Sequence, residues 1–195
     1  AEMDKVFLEV VMAPSFTPGA VKILSSKKNR IILQRRSAGN GRESFRSMLG
    51  GVLWQERDSS TEQASGMRPV TARQPSEEEY LDMVFANKIV KHSRSNAIVL
   101  AKNRQLCASG IGQTSRIDAL RQAIQKAKAF GFSLEGAVMA SDAYFPFADS
   151  VTTAHEAGIA AVVQPGGSVR DQESIDYCNK TGVAMVFTGV RHFKH

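Results

Sequence analysis

Two segments of this chain combine residue types that bind ligands or carry out chemistry. Ser141-Asp-Ala-Tyr-Phe-Pro-Phe-Ala-Asp149 follows the apolar run Gly136–Ala140 and holds carboxylates, aromatic rings and a proline. The terminus, Arg191-His-Phe-Lys-His195, is basic and aromatic. Because α/β proteins bind ligands where strands end, both segments indicate a site for an anionic, planar ligand.

Two glycine-containing segments also follow predicted strands. They are Gly110-Ile-Gly-Gln-Thr-Ser-Arg116 and Gln164-Pro-Gly-Gly-Ser168. Backbone N–H groups at the start of a helix bind anions, but each segment can equally be a tight turn in which Ser115, Ser168 or Asp171 caps the next helix. Neither is a P-loop or a GxGxxG motif. We expect all of these strand-end segments to converge on one pocket.

Three cationic residues are the best candidates for binding an anion. Arg116 and Arg191 can each make bidentate contacts with a carboxylate or a phosphate, although a single arginine is more often a surface residue. His195 is the best candidate among the four histidines, because its tail follows a predicted strand. His155 lies within a predicted helix, and His92 follows a helix with a basic end, where the helix dipole favours cations.

The aromatic and acidic residues of 141–149 leave alternatives open. Tyr144, Phe145 and Phe147 are either core residues or a surface on which a heterocycle stacks. Asp142 and Asp149 are seven positions apart on an irregular segment, so no paired-carboxylate geometry follows from the sequence.

Composition limits the class of protein. The chain has 195 residues with 43% hydrophobic content, enough for one sizeable core or two small lobes. Its net charge of +6 suits anionic metabolites or nucleic acid, but a solvated basic surface explains it more simply. No signal peptide and no long apolar run are present, so we expect a soluble cytoplasmic protein with no membrane partner.

Several chemistries lack their motifs. The H-x-E and P-C-x-x-C pattern of zinc deaminases is missing, and the two cysteines have no zinc or disulfide spacing, so no zinc is expected. No G-x-S-x-G elbow points to a serine hydrolase. No basic stripe is interleaved with aromatics, so RNA binding rests on charge alone and no nucleic-acid partner is expected.

Strands and helices alternate along the chain. This pattern predicts a layered α-β-α domain with a mostly parallel sheet. Thr17 and Pro18 predict a helix start, and so does the capping box Ser76–Glu79. The polar stretch 35–75 is predicted to be irregular, a binding loop or a mobile insert, with Gly50-Gly51 as a simple turn. The predicted strands are 6–12, 31–33, 97–102, 105–109, 136–140, 159–163 and 183–187, and the predicted helices are 18–26, 76–90, 115–131, 153–157 and 171–180.

The chain also carries a set of motifs that occur together in one family. In order they are Lys91-His-Ser-Arg-Ser-Asn-Ala-Ile-Val-Leu-Ala-Lys102, Gly112-Gln-Thr-Ser-Arg116, Ser141-Asp-Ala-Tyr-Phe-Pro-Phe147, Gln164-Pro-Gly-Gly-Ser168 and Arg191-His-Phe-Lys-His195. Together they resemble the C-terminal part of AICAR transformylase/IMP cyclohydrolase, a bifunctional purine-biosynthesis family, over residues 9–195. The resemblance implies a transformylase of two cytidine deaminase-like lobes without the zinc. Residues 76–195 would be the second lobe, and 1–75 the segment leading into it.

The resemblance also implies an activity. The family transfers a formyl group from 10-formyltetrahydrofolate to the 5-amino group of AICAR ribotide, at a site formed in a homodimer. By resemblance Asn96 lies near the formyl group, where an amide N–H stabilises the oxyanion, and His195 is the second catalytic position.

Substrate contacts follow from the same resemblance. Tyr144 falls where the family commonly has phenylalanine against the folate rings, and Asp149 matches an aspartate that binds the pterin. Arg116, Arg191 and His195 match the ribotide side, with Arg191 best suited to the phosphate. The remaining assignments are Pro146 and Phe193 as substrate-binding residues and Asp142 as a possible potassium ligand.

The chain departs from the family pattern in three ways. Cys107, Ala108 and Ser109 stand where the family commonly has glycines or aliphatic residues. Ala148 stands where the family usually has arginine. The family's catalytic Lys-His pair lies in the first lobe before a Pro-Cys-Gly or Pro-Ala-Gly turn, and no such turn follows Lys91-His92. We therefore expect Lys91-His92 to be a lookalike and the chain to be inactive by itself. The alternative is a non-catalytic module that binds a nucleotide or folate. The chain begins with a strand after only five residues, which fits either a natural start or a start before a domain's second half.

Overall fold

The structure is a computed structural model that describes residues 2–37 and 41–194. It contains two compact units, Ala1–Arg57 and Asp58–His195. The second unit begins at Asp58, whereas the sequence predicts that the C-terminal lobe begins at Ser76. It does so because residues 58–75 pack against later elements: Met67 is buried, and Val70 donates its N–H to the carbonyl of Met185 at 3.0 Å.

The first unit consists of a parallel strand pair and a hairpin. Thr17 caps its helix by accepting from the N–H of Ala20 at 3.2 Å, with Pro18 in the first turn as predicted. The first strand starts at Val10, four residues later than predicted. The elements are a 3₁₀ turn at Glu2–Lys5, β1 (Val10–Ala13), α1 (Pro18–Leu24), β2 (Ile31–Gln34), β3 (Glu43–Met48) and β4 (Gly51–Glu56), with β1 and β2 parallel.

The hairpin of β3 and β4 corrects the prediction that 35–75 is irregular. Met48 pairs with Gly51, so Leu49 and Gly50 form the turn, and Phe45 pairs with Trp54. The prediction failed because β3 has only two apolar residues among six, which gives almost no period-2 signal. Gly50-Gly51 is indeed at a turn.

The second unit is built on a six-stranded sheet. Its elements are β5 (Arg68–Pro69), α2 (Glu77–His92), β6 (Ile98–Lys102), β7 (Gln105–Gly110), α3 (Arg116–Ala129), β8 (Ala137–Ser141), α4 (Asp149–Glu156), β9 (Ile159–Gln164), α5 (Asp171–Thr181) and β10 (Ala184–Phe187). The strand order is β5-β10-β9-β8-β6-β7. Strands β8, β9 and β10 are parallel neighbours, and two antiparallel steps through β6 give β7 the same direction. Four of the six strands therefore run the same way, which confirms the mostly parallel α/β sheet.

Helices cover both faces of this sheet. Met83 and Val90 of α2 pack with Val138 and Ala140 on one face. On the other face, α3, α4 and α5 pack against alternate strand residues such as Met139. The predicted α-β-α layers are confirmed. Among the described helices, none has the length and apolar character needed to cross a bilayer.

Local contacts explain where the helices begin and end. The capping box is present, since Ser76 accepts from the N–H of Glu79 at 3.2 Å and the carboxylate of Glu79 accepts from the N–H of Ser76 at 2.8 Å. Helix α5 ends at Gly182, whose φ of 75° is left-handed. Helix α4 begins at Asp149, not at Thr153 as predicted, so Asp149 lies in its first turn.

Gly110 sets the distance between β7 and α3. A Cβ atom at this position would lie 1.8 Å from the carbonyl oxygen of Ala119. Since no side chain fits there, the strand end and the helix approach closely only with glycine. This approach places the segment that begins α3 beside the sheet edge.

Candidate functional site

The four strand-end segments named above come together at one edge of the sheet. The N–H of Thr188 donates to the carbonyl of Gln164 at 2.9 Å, and the side-chain oxygen of Gln164 accepts from the N–H of Phe145 at 3.3 Å. The N–H of His192 donates to the carbonyl of Asp142 at 2.9 Å. This grouping follows from topology, because β7, β8, β9 and β10 all end at this edge.

Arg116 and Asp142 form a buried ion pair at the centre of this edge. Nη2 of Arg116 lies 3.5 Å from Oδ1 of Asp142, and their side chains are 12% and 0% exposed. Nε and Nη2 of Arg116 and both oxygens of Asp142 are buried without a hydrogen-bond partner in the described structure. Burial lowers the pKa of Arg116, while the charge of Asp142 opposes that shift. Such unsatisfied polar atoms suit contact with a polar ligand.

Two guanidinium groups flank the ring of Phe193. The guanidinium carbon of Arg116 lies 6.0 Å from the ring centre, and that of Arg191 lies 5.1 Å from it. Phe193 is 39% exposed, and Arg191 is exposed. The cluster presents positive charge beside an aromatic surface, which suits an anionic group attached to a planar ring.

Asn96 is bound to the segment that carries Arg116. Its backbone N–H and its Nδ2 both donate to the carbonyl of Gln113, at 3.2 and 3.1 Å. The N–H of Gln113 donates to the carbonyl of Asn96 at 3.3 Å. An amide nitrogen carries two hydrogens, so Nδ2 keeps one for another acceptor.

The aromatic segment of 141–149 divides between core and surface. Phe145 is completely buried and Phe147 is 50% exposed, while Tyr144 is half-buried. Tyr144, Pro146 and Phe147 line a groove of about 260 Å³ together with residues 167–170. The guanidinium of Arg170 lies 4.8 Å from the ring centre of Phe147.

The remaining predicted site residues are Asp149 and His195. Asp149 is exposed, and its Oδ1 accepts from the hydroxyl of Ser150 at 3.3 Å. His195 lies outside the described residues.

The two glycine-containing segments use their N–H groups within the protein. Gly167 and Ser168 donate to Oδ2 of Asp171 at 2.7 and 3.1 Å. The N–H of Gly112 donates to the carbonyl of Arg94 at 2.8 Å, and that of Ile111 to the side-chain oxygen of Gln122 at 3.2 Å. These contacts favour tight turns over open anion sites. Ser115 caps α3 as predicted, while neither Ser168 nor Asp171 is the N-cap of α5.

Lys91 and His92 differ in their surroundings. The ammonium of Lys91 donates to the carbonyl of Ser60 and, at 3.4 Å, to the hydroxyl of Thr61. His92 is exposed at the end of α2. The two side chains do not form a common site in the described contacts.

Sequence reasoning missed His192. The residue is 1% exposed, with Nδ1 at 2.5 Å from Oδ2 of Asp58 and Nε2 at 2.9 Å from Oε2 of Glu62. The two carboxylates precede it by 134 and 130 residues, so no local motif links them. Within this basic, aromatic tail, the sequence favours Arg191 and His195 as candidate site residues over the histidine between them.

Comparison with known proteins adds the family. The model of the AICARFT/IMPCHase bienzyme family matches residues 1–126, more than half of the chain. The chain belongs to this family. It is 58% identical over 194 residues to the Bifunctional purine biosynthesis protein PurH of Bacteroides thetaiotaomicron, and 50% and 49% identical to those of Acetivibrio thermocellus and Aquifex aeolicus. Each match covers 100% of this chain and 38% of the relative, so the chain spans well under half the length of these curated relatives.

Solved structures give weaker likenesses. A Thermotoga maritima diaminohydroxyphosphoribosylaminopyrimidine deaminase/5-amino-6-(5-phosphoribosylamino)uracil reductase has a TM-score of 0.37 at 20% identity, covering 54% of this chain and 34% of that one. The dCMP deaminase of cyanophage S-TIM5 has a TM-score of 0.40 at 17% identity, covering 57% and 98%. These neighbours are deaminases, at scores too low to support an inference about function.

Proposed function

We propose that this AICARFT/IMPCHase family chain supplies part of a formyltransferase site. The reaction would move a formyl group from 10-formyltetrahydrofolate to the amine of AICAR ribotide. The observation that carries the proposal is the cluster at the sheet edge, where Arg116 and Arg191 flank the ring of Phe193 beside buried Asp142. A phosphate joined to a planar base matches this chemistry.

The reaction makes specific demands on a site. The AICAR amine is a poor nucleophile, because its lone pair is delocalised into the imidazole and carboxamide. Orientation, removal of a proton and stabilisation of a tetrahedral oxyanion are therefore all needed. Asn96 is proposed to meet the last demand with the Nδ2 hydrogen that Gln113 does not use.

The ribotide is proposed to bind at the arginine side. Exposed Arg191 would take the phosphate, while Arg116 and Phe193 would contact the rest of the nucleotide. His195 remains a predicted catalytic residue on the same tail.

The folate is proposed to bind along the groove of Tyr144 and Pro146, with Asp149 accepting from the pterin. The groove volume of about 260 Å³ falls below the usual range for a whole ligand of this size. This supports a site completed by other surfaces, and we propose a homodimer in which a second protomer supplies them. Position 148, where the family usually has arginine, is alanine in this chain, so it provides no guanidinium for a contact with the second protomer.

Potassium at Asp142 fits the described residues poorly. The carboxylate already faces the guanidinium of Arg116 at 3.5 Å, so an added cation would be close to a positive charge. In residues 2–37 and 41–194, no group of three or more His, Cys, Asp or Glu side chains could hold a metal ion. The proposed formyl transfer therefore involves no potassium ion at Asp142.

The general base is proposed to lie outside this chain. Lys91 is 9% exposed, its ammonium already donates to residues 60 and 61, and it lies 3.9 Å from Oδ1 of Asp58. Those contacts support a structural role for Lys91, in line with Lys91-His92 being a lookalike of the family's pair.

Formyl transfer to AICAR ribotide tests the proposal. It is measured with this chain alone and with a chimera in which the chain replaces the matching segment of the Bacteroides thetaiotaomicron PurH protein. We expect turnover by the chimera and none by the chain alone. Turnover by the chain alone would show that it holds its own base. A folded chimera that binds both ligands without turnover would favour the non-catalytic binding module.

A further inference from the structure

The imidazole of His192 is enclosed by two carboxylates. Nδ1 faces Oδ2 of Asp58 at 2.5 Å, and Nε2 faces Oε2 of Glu62 at 2.9 Å. Carboxylate oxygens only accept, so both contacts are hydrogen bonds when both ring nitrogens carry hydrogen.

Two further side chains contact this group. Lys91 lies 3.9 Å from Oδ1 of Asp58, and Asn87 donates to Oε2 of Glu62 at 2.8 Å. Because buried polar groups are stable only when they are hydrogen-bonded, this network ties residues 58–62, α2 and the C-terminal tail together.

The main chain of the tail is fixed at the same place. The N–H of His192 donates to the carbonyl of Asp142 at 2.9 Å. Two residues on, Lys194 donates its N–H to the hydroxyl of Ser95 at 3.1 Å and accepts from the N–H of Ser95 at 3.0 Å. His192 points inward between Arg191 and Phe193, which are both exposed.

We propose that His192 is a positioning residue for the ribotide side of the site. Its contacts with Asp58 and Glu62 hold the tail so that Arg191 and Phe193 lie beside Arg116. The ribotide part of this inference rests on the proposed function, whereas the anchoring of the tail does not.

The substitution His192→Gln tests the proposal. A glutamine side chain offers a donor on one side and an acceptor on the other, so it cannot donate to both carboxylates. In the 195-residue chain, we expect amide hydrogen exchange at residues 192 and 194 to become at least several-fold faster, with α3 unchanged. In the chimera, we expect the KM for AICAR ribotide to rise about tenfold or more, because misplaced contacts are costly, with the KM for 10-formyltetrahydrofolate unchanged.

The double substitution His192→Gln with Glu62→Gln tests whether a restored hydrogen bond rescues the effect. The new amide can donate to the acceptor that His192→Gln introduces, so the ribotide KM should fall back towards the original value. His155→Gln is the matched control. His155 of α4 is half-buried, and its Nδ1 lies 3.2 Å from the hydroxyl of Tyr177 in α5. It should leave the ribotide KM unchanged.

The outcomes separate the two claims. Unchanged exchange at residues 192 and 194 in His192→Gln would overturn the anchoring. Faster exchange with an unchanged ribotide KM, or equal rises in both KM values, would overturn the positioning role. A folded chimera without formyl transfer would instead overturn the proposed function and the ribotide part with it, while the exchange result would still decide the anchoring.

Discussion

Oδ1 of Asp142 and Nη2 of Arg116 are 3.5 Å apart in a site where the carboxylate is fully buried. Neither carboxylate oxygen has a hydrogen-bond partner among the described residues. Each charge is therefore stabilised chiefly by the other, and removing one leaves the second uncompensated.

Asp142→Asn should destabilise the protein, because the buried guanidinium of Arg116 loses its counter-charge. We expect the free energy of unfolding to fall by about 3 kcal/mol, measured by urea denaturation. Combining Asp142→Asn with Arg116→Met removes both charges and should recover much of that loss. Equal stability of Asp142→Asn and the unsubstituted protein would show that the pair is not coupled.

Arg191→Ala should weaken ribotide binding while leaving stability unchanged, because the side chain is exposed. Losing a charged hydrogen bond to the phosphate should raise the ribotide KM of the chimera by about tenfold or more. Arg121→Ala, on an exposed side chain of α3, is the control. A ribotide KM unaffected by Arg191→Ala would remove Arg191 from the phosphate site.

Asn96→Ala should lower kcat more than it raises either KM, because the amide is proposed to act on the oxyanion. Loss of one such donor costs about 100-fold in kcat. The control is Asn179→Ala, whose side chain accepts from the N–H of Ala72 at 2.7 Å. An unchanged kcat in Asn96→Ala would contradict the oxyanion role.

Gly110→Ala should disrupt the packing of β7 on α3, since the new Cβ would meet the carbonyl of Ala119 at 1.8 Å. We expect a loss of about 3 kcal/mol in the free energy of unfolding, the upper part of the range for overpacking. Gly66→Ala, which meets nothing within 4 Å, should be nearly neutral. Similar losses from both substitutions would show that the close approach is not the cause.

Cys178 should make stability depend on alkaline pH. Burial raises the pKa of its thiol from 9.0 to about 12. The folded state thus holds a proton that the unfolded state releases above pH 9, so the contribution of this thiol is complete below pH 9 and is lost as pH rises towards 12. Cys178→Ala should reduce the fall in unfolding free energy over that window. An identical pH profile for both proteins would contradict the shifted pKa.

Local signals predicted much of the fold. The capping box of Ser76 and Glu79 and the cap of Thr17 depend on neighbours three residues apart, so the sequence contains all the needed information. The apolar runs of the buried strands were also recognisable. The hairpin pairing Phe45 with Trp54 was not, because β3 is mostly polar.

The site was predictable only in part. Strand topology predicted that the segments 110–116, 142–149 and 188–195 converge, and Arg116 does lie near Asp142 and Phe193. The contacts of His192 with Asp58 and Glu62 could not be foreseen, since they join positions more than a hundred residues apart. The sequence left open whether the glycine-containing segments bind an anion or form tight turns, and the contacts of Asp171 favour the turn for residues 164–168.

The carboxylate of Asp171 already occupies the N–H groups of Gly167 and Ser168. The backbone donors of the glycine turn after β9 are therefore already bound to a side chain of the same chain. An incoming phosphate would have to displace this carboxylate to bind there, whereas the guanidinium of Arg191 is exposed. Under the proposed function, the phosphate would therefore bind at Arg191 and not at this glycine turn.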